Sequence, residues 1–323
     1  MILLHTRRGT ALACVWLTFA GSMPAGAAHA ASAAPVASTM ASGTAAGVAP
    51  RVVAHIDTLK RIRDTATITL GVRASRAPFS FVDAQREPRG YSIDLCMHVA
   101  DAVKAALKLP KLDVRFVVVT RASRIAMLND GRIDLECGST INTRERAGDV
   151  AFAYTTFVSG VRLLARRASR VTDIDGLRGK TVVAVRGTPA AKLLRQANAR
   201  RGLGLTILDA RDDADAFSAV AGGRAVAFPM EDVALYALIA KAARPGDFAV
   251  VGRYLSIEPR AIMLRKDDPA FLRVVDRALA KTFRDGEIGR IYARWFSTRE
   301  LFVPMSRYLS EAFVAPTTYP AFP

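Results

Sequence analysis

From Thr67 onward the chain alternates two hydrophobic rhythms, and this alternation restricts the fold more than any other feature of its 323 residues. Thr67–Val72 (TITLGV) is a β-branched run closed by a polar turn, which predicts a strand. Ser92–Leu107 carries apolar residues at Ile93, Cys96, Met97, Val99, Ala100, Val103 and Leu107, a helical spacing. Val114–Val119 then reads as a strand and Ser123–Leu128 as a short helix. Arg132–Leu135 reads as a strand running into Glu136-Cys137-Gly138-Ser139. Repeated strand–helix units of this kind predict a largely parallel sheet, because parallel neighbours need a crossover between them.

A second set of units begins near Gly160. Strands are predicted at Val161–Leu164, Thr181–Val185, Leu205–Leu208, Ala225–Phe228, Phe248–Val251 and Ala261–Leu264. Helices are predicted at Ala190–Ala199, Asp212–Ala221, Glu231–Ala242, Pro269–Asp285 and Glu287–Trp295. Two α/β blocks with a helical region returning at the end suit two lobes between which the chain passes twice. Ligand sites in such sheets lie beyond the carboxyl ends of strands, and two lobes around a cleft can close as a hinged trap.

The N-terminus stands apart from this pattern. Arg7 and Arg8 precede an apolar run, Ala11–Ala20, and small residues follow, with Ala28-His29-Ala30 or Ala25-Gly26-Ala27 as cleavage sites. Residues 1–30 therefore read as a secretory signal peptide, the apolar run being short for a membrane anchor. Residues 31–51, rich in Ala, Ser and Gly, read as a flexible low-complexity linker. The formal net charge is +17, so loss of Arg7 and Arg8 leaves +15. The Lys and Arg residues are scattered, without a basic block or zinc-finger spacing, which argues against nucleic acid. A basic surface can also steer an anionic solute to a cleft. Once Cys14 leaves with the leader, Cys96 and Cys137 remain. An even pair in an oxidising compartment is expected to form a disulfide, the alternative being two buried thiols.

Several segments in order carry a resemblance. They are Gly71-Val72-Arg73 with Pro78-Phe79-Ser80, Gly90-Tyr91-Ser92-Ile93-Asp94, and the run Asn129 to Thr140 followed by Asn142 to Arg146. Leu177 to Val182, Gly187-Thr188, Gly223 to Phe228, Met263 to Pro269, and Gly286-Glu287 with Tyr292 and Trp295-Phe296 complete the series. Over roughly residues 55–315 the chain resembles the bacterial extracellular solute-binding proteins of family 3, the polar amino acid binders of ABC importers. Within them it is most similar to the glutamate/aspartate-binding branch. The resemblance implies an α/β periplasmic binding protein type II fold, two lobes joined by a two-strand hinge. Lobe 1 is expected over 52–157 with 254–323 and lobe 2 over 158–253. It further implies a periplasmic monomer that binds a small amino acid, docks on a membrane permease, and uses no cofactor, catalytic group or metal.

The same resemblance assigns roles within the cleft. Arg146 is expected to fork onto the ligand α-carboxylate, with Ser139 and Thr140 beside it. Arg73 and Arg124 are expected to reach a side-chain carboxylate. Glu231, with Asp232 beside it, stands where an acid receives the ligand ammonium, and Thr188 belongs to the second-lobe wall. Phe79 is either core or a wall of the site.

Several positions depart from the family pattern. Pro189 stands for a Thr and removes a backbone N–H. Asp213 stands for a His, Ile141 for a Thr, Arg121 for a Ser and Arg260 for a Tyr. An Asp repels a ligand carboxylate whereas Arg121 and Arg260 attract one. The pocket is thus either rebuilt for another anionic or amino acid-like ligand, or kept for acidic amino acids with Asp213 neutralising a new arginine.

The competing reading is an enzyme on the same fold, a cyclohexadienyl or arogenate dehydratase. Its acid would be Glu231, Asp213 or Glu136. A sensor that feeds no transporter is the third reading. The four histidines, at positions 5, 29, 55 and 98, form no metal-ligand pattern.

Overall fold

The computed structural model describes residues 56–321; the leader expected at 1–30 and the linker at 31–51 lie outside them. The first helix, α1 (Thr58–Thr65), is capped by Asp57, whose carboxylate accepts from the Lys60 N–H. β1 (Thr67–Val72) follows, buried at five of its six positions. A small antiparallel meander comes next: β2 (Ser75–Arg76), β3 (Ser80–Val82) and β4 (Pro88–Arg89). α2 (Tyr91–Ala106), β5 (Asp113–Val118), α3 (Arg124–Asn129), β6 (Leu135–Glu136) and β7 (Val150–Phe152) complete this stretch. β8 (Phe157–Ser159) carries the chain across to the second lobe.

That lobe holds β9 (Val161–Arg166), β10 (Thr181–Val185), α4 (Pro189–Arg201), β11 (Thr206–Ala210) and α5 (Asp213–Ala221). It ends with β12 (Ala227–Glu231), α6 (Asp232–Ala240) and β13 (Phe248–Val251). The return crossing is β14 (Glu258–Arg260), followed by β15 (Met263–Arg265), α7 (Pro269–Arg284), α8 (Glu287–Phe296) and α9 (Arg307–Val314).

The expected two α/β lobes joined by two strands are present. The first sheet runs β5-β1-β6-β15-β7. In the second, β10 pairs β11 and β12 pairs β9 and β13. A hydrogen bond from the Val226 N–H to the Thr181 carbonyl (2.9 Å) sets β10 beside β12. The strand order of the first sheet is thereby repeated. β8 and β14 pair antiparallel as the hinge.

The expectation of largely parallel sheets holds, with one reversed strand in each. β1 is parallel to β5 and β6, and β10 to β11, but β15 and β9 run antiparallel to their neighbours. The reason lies in the hinge. A strand that follows a crossing enters its sheet from the hinge end, where the strand–helix strands finish. Val161 therefore pairs with Glu231 at the end of β12, and Met263 with Glu136 at the end of β6.

Each lobe has its own apolar interior. The first gathers residues from β1, α2, α7 and α8, and the second from β9, β10, α4, α5 and β12. The hinge is anchored in the first. Phe157 of β8 packs against Phe79 (4.9 Å between centroids) and Phe296 (4.8 Å), and the Tyr91 hydroxyl donates to the Thr156 carbonyl at 2.6 Å. Cys96 on α2 and Cys137 after β6 form a disulfide, their Cα atoms 6.2 Å apart. Among the described residues no helix is long and apolar enough to cross a membrane.

Candidate functional site

A cavity of about 470 Å³ opens where the two sheets end toward each other. Its walls are the residues just beyond strands. Arg73 follows β1, Ser139 and Thr140 follow β6, and Glu231 and Arg260 end β12 and β14. Helix starts supply the rest: Arg124 opens α3, Thr188 caps α4 and Asp213 opens α5. With Arg121 and Arg146, the structure gathers all ten residues singled out from the sequence around one space.

Local chemistry explains these placements. Arg73 is held by its backbone N–H, which donates to the Ser80 hydroxyl at 2.9 Å. Beneath the first wall lies Glu136, fully buried. It accepts from the Thr140 hydroxyl (2.8 Å), and Thr140 in turn accepts from Arg124 Nη1 (2.5 Å). The Arg124–Glu136 ion pair is longer, 3.9 Å. Gly138 makes room for this carboxylate, since a Cβ there would stand 2.1 Å from Glu136 Oε1. Arg146 Nη1 donates to the Ile141 carbonyl at 2.8 Å. Thr188 donates to the Val185 carbonyl (2.8 Å) and accepts from the Ala191 N–H (3.2 Å), the N-cap of a helix whose first residue is Pro189.

Six arginines line the cavity, at 73, 76, 121, 124, 146 and 260, against three carboxylates, Asp213, Glu231 and Glu258. The crowding shows in their proton affinities. Burial lowers that of Arg124; Glu136 opposes this, and Arg146, Arg73 and Arg121 lower it further. Burial holds Glu136 above the ordinary carboxylate range, against the pull of Arg124 and Thr140. Burial raises Asp213, with Asp212 adding to it. Such a wall suits a ligand with more than one negative charge.

Two of these positions contact each other across the cavity wall. Arg260, expected to attract a ligand carboxylate, lines the cavity, is 4% exposed and makes several contacts within the protein. Its Nη1 donates to the Ser139 carbonyl (2.5 Å), its Nη2 to Glu231 Oε1 (2.5 Å) and its Nε to the Ser159 hydroxyl (3.2 Å). Its guanidinium lies 5.1 Å from the centre of the Phe79 ring. Phe79 is therefore core, roofed by Arg260. Glu231, expected to receive a ligand ammonium, pairs through Oε1 with Arg260, whereas Asp213 makes no ion pair among the described residues.

Asp232 points away from the cavity. It accepts from the Tyr254 hydroxyl (2.5 Å) and the Val233 N–H (2.9 Å). Burial pushes it up to about 6, Tyr254 opposing and Glu231 adding.

The sequence reading missed Arg76 and Glu258. Arg76 Nε donates to the Ser139 hydroxyl at 3.4 Å. Glu258 had a signal: it lies two residues before Arg260 in one strand, hence on the same face. Among the described residues no group of three His, Cys, Asp or Glu is placed to hold a metal.

Comparison with known proteins gives consistent matches. The profile of the bacterial extracellular solute-binding proteins, family 3, matches residues 68–298. An L-glutamate/L-aspartate-binding protein of Pseudomonas aeruginosa is 42% identical over 267 residues, covering 80% of this chain and 88% of the relative. A glutamate/aspartate import solute-binding protein of Escherichia coli is 38% identical over 239 residues, covering 74% and 79%. Among solved structures, an ancestral cationic amino acid solute-binding protein superimposes with a TM-score of 0.58 at 28% identity, covering 74% of this chain and 99% of that one. Both curated relatives are binding proteins rather than enzymes.

Proposed function

The chain belongs to the bacterial extracellular solute-binding proteins of family 3, and from that premise we propose that it captures an acidic amino acid, glutamate or aspartate, for an ABC importer. The observation that carries this reading is the arginine wall facing a second lobe across a hinge. Arg146, Ser139 and Thr140 take one carboxylate, and Arg73, Arg124, Arg121 and Arg76 surround the other. The second lobe closes with Thr188, Asp213 and the N-terminal end of α4, whose positive dipole end favours an anion. Contacts from both lobes give the ligand its preference for the closed form, and that difference drives closure.

The lobes are 52–157 with 254–323 and 158–253, in keeping with crossings at β8 and β14. The protein works as a periplasmic monomer, exported by the leader at 1–30, and its closed form docks on a membrane permease.

The test is calorimetric titration of the chain from about Ala31, unfolded and refolded to strip carried-over ligand. Aspartate or glutamate binds in the micromolar range. Arg73→Ala and Arg146→Ala each weaken binding tenfold or more, since a charge-assisted hydrogen bond contributes about 1.5–3 kcal/mol. Absence of binding by both amino acids sinks this reading.

A further inference from the structure

We propose that the segment Pro316–Ala321 is a positioning element of the cleft: through Asn142 it seats the turn that carries Arg146. This rests on the cavity being the ligand site proposed above. The segment leaves α9 at Pro316, which cannot continue a helix, and Pro320 biases Tyr319 to extended backbone. Its backbone is bonded to the first lobe. The Thr317 carbonyl accepts from the Thr155 N–H (2.8 Å), the Thr318 carbonyl accepts from Asn142 Nδ2 (2.9 Å), and the Ala321 N–H donates to the Asn142 carbonyl (2.7 Å).

Asn142 is where these bonds act on the site. It is buried, and its Oδ1 has no partner among the described residues, so the Thr318 carbonyl is what orients the amide. Its own N–H donates to the Pro259 carbonyl of β14 at 2.8 Å. The hinge thus holds Asn142 through its N–H, and the tail holds it through its carbonyl and its side chain.

From Asn142 the constraint reaches Arg146 through the residue on either side. Ile141 lines the cavity, and its carbonyl accepts from Arg146 Nη1 at 2.8 Å. Thr143 begins the turn: its carbonyl accepts from the Ala147 N–H (2.9 Å) and its hydroxyl from the Arg146 N–H (3.3 Å). Backbone and guanidinium of Arg146 are both held by neighbours of Asn142. The turn itself, Arg146–Gly148, has no buried residue, so apolar packing does little to fix it. A charged group in a site is only as well placed as the shell behind it. No residue of the tail lines the cavity, so its effect on a ligand passes through Arg146.

The experiment removes the segment by ending the chain at Ala315, with Asn142→Ala as a second variant that keeps the tail. Hydrogen exchange of the ligand-stripped chain is read first. The amides of Asn142 and Ala147 are expected to exchange about tenfold or more faster in the truncated chain, while those of β10 and β11 keep their rates. Unchanged exchange over 142–148, or equal acceleration in both lobes, overturns the inference. Calorimetry with glutamate and aspartate follows. Truncation and Asn142→Ala each weaken binding about threefold to tenfold. Truncation brings no further loss in Arg146→Ala but keeps its full effect in Arg73→Ala. Unchanged affinity on truncation, or a loss of the same size in Arg146→Ala, overturns the inference and leaves the proposed function standing. Failure of the intact chain to bind either amino acid overturns the proposed function, and the exchange rates alone then decide whether the tail holds the Arg146 turn.

Discussion

Asp232 shows how burial at a single residue sets a property of the whole chain. Its carboxyl, pushed up to about 6 inside the protein, has an ordinary value of 3.8. Well below pH 3.8 both folded and unfolded forms hold the proton and nothing is lost. As the pH rises to 6 the unfolded chain ionises first, so stability falls, and the loss levels off above pH 6 at about 3 kcal/mol. Asp232→Asn removes that dependence. Its stability relative to the parent is expected to rise by about that amount between pH 4 and pH 7, read by denaturant melts at each pH. Parallel pH curves for the two proteins would place the ionisation elsewhere. The ten cavity residues came to notice through the family resemblance, which matches positions in order; taken alone, the arginines among them would read as solvated side chains at strand or helix ends. The Arg260–Glu231 pair was not visible, since it joins positions 29 residues apart across two lobes.

At the scale of the element, α4 is the clearest case of a local rule meeting a site. Pro189 at its first turn is the residue a helix start tolerates best. The Pro also removes a donor at the cavity wall. Pro189→Ala restores that N–H and is expected to tighten anion binding about threefold to tenfold, at a stability cost of up to about 1 kcal/mol. Calorimetry checks the first effect and melting the second; unchanged affinity would mean that the α4 terminus does not touch the ligand. Long elements were legible from periodicity, and β1, β10 and β13 fall where the pattern predicts them. The strand expected at Arg132–Leu135 is only Leu135–Glu136. The three-residue hinge strands β8 and β14, like α1 and α9, are too short to show a period.

For the whole molecule, the sequence carries a formal excess of 17 positive charges, and the cavity itself carries more arginines than acids. Long-range attraction of this kind acts on encounter more than on the final complex. The association rate of an anionic ligand is expected to fall about threefold or more between roughly 20 and 500 mM salt, followed by stopped-flow fluorescence. A rate indifferent to salt would mean that the basic surface does not steer. Two lobes could be inferred from the repetition of α/β units. The antiparallel strands could not, because direction depends on which end of a sheet the chain enters after each crossing.

The C-terminal stretch is tied to the first lobe beside two segments, one after β7 and one after Ile141. The Thr155 N–H donates to the Thr317 carbonyl (2.8 Å), Asn142 Nδ2 to the Thr318 carbonyl (2.9 Å), and the Ala321 N–H to the Asn142 carbonyl (2.7 Å). Asn142 adjoins Ile141, a wall residue, while Tyr319 is 72% exposed. A polarity-sensitive dye on a cysteine introduced at Tyr319 would therefore sit on this tether, outside the cavity lining. The fold thus offers an attachment point from which an optical reporter can be read while the cavity residues stay unaltered.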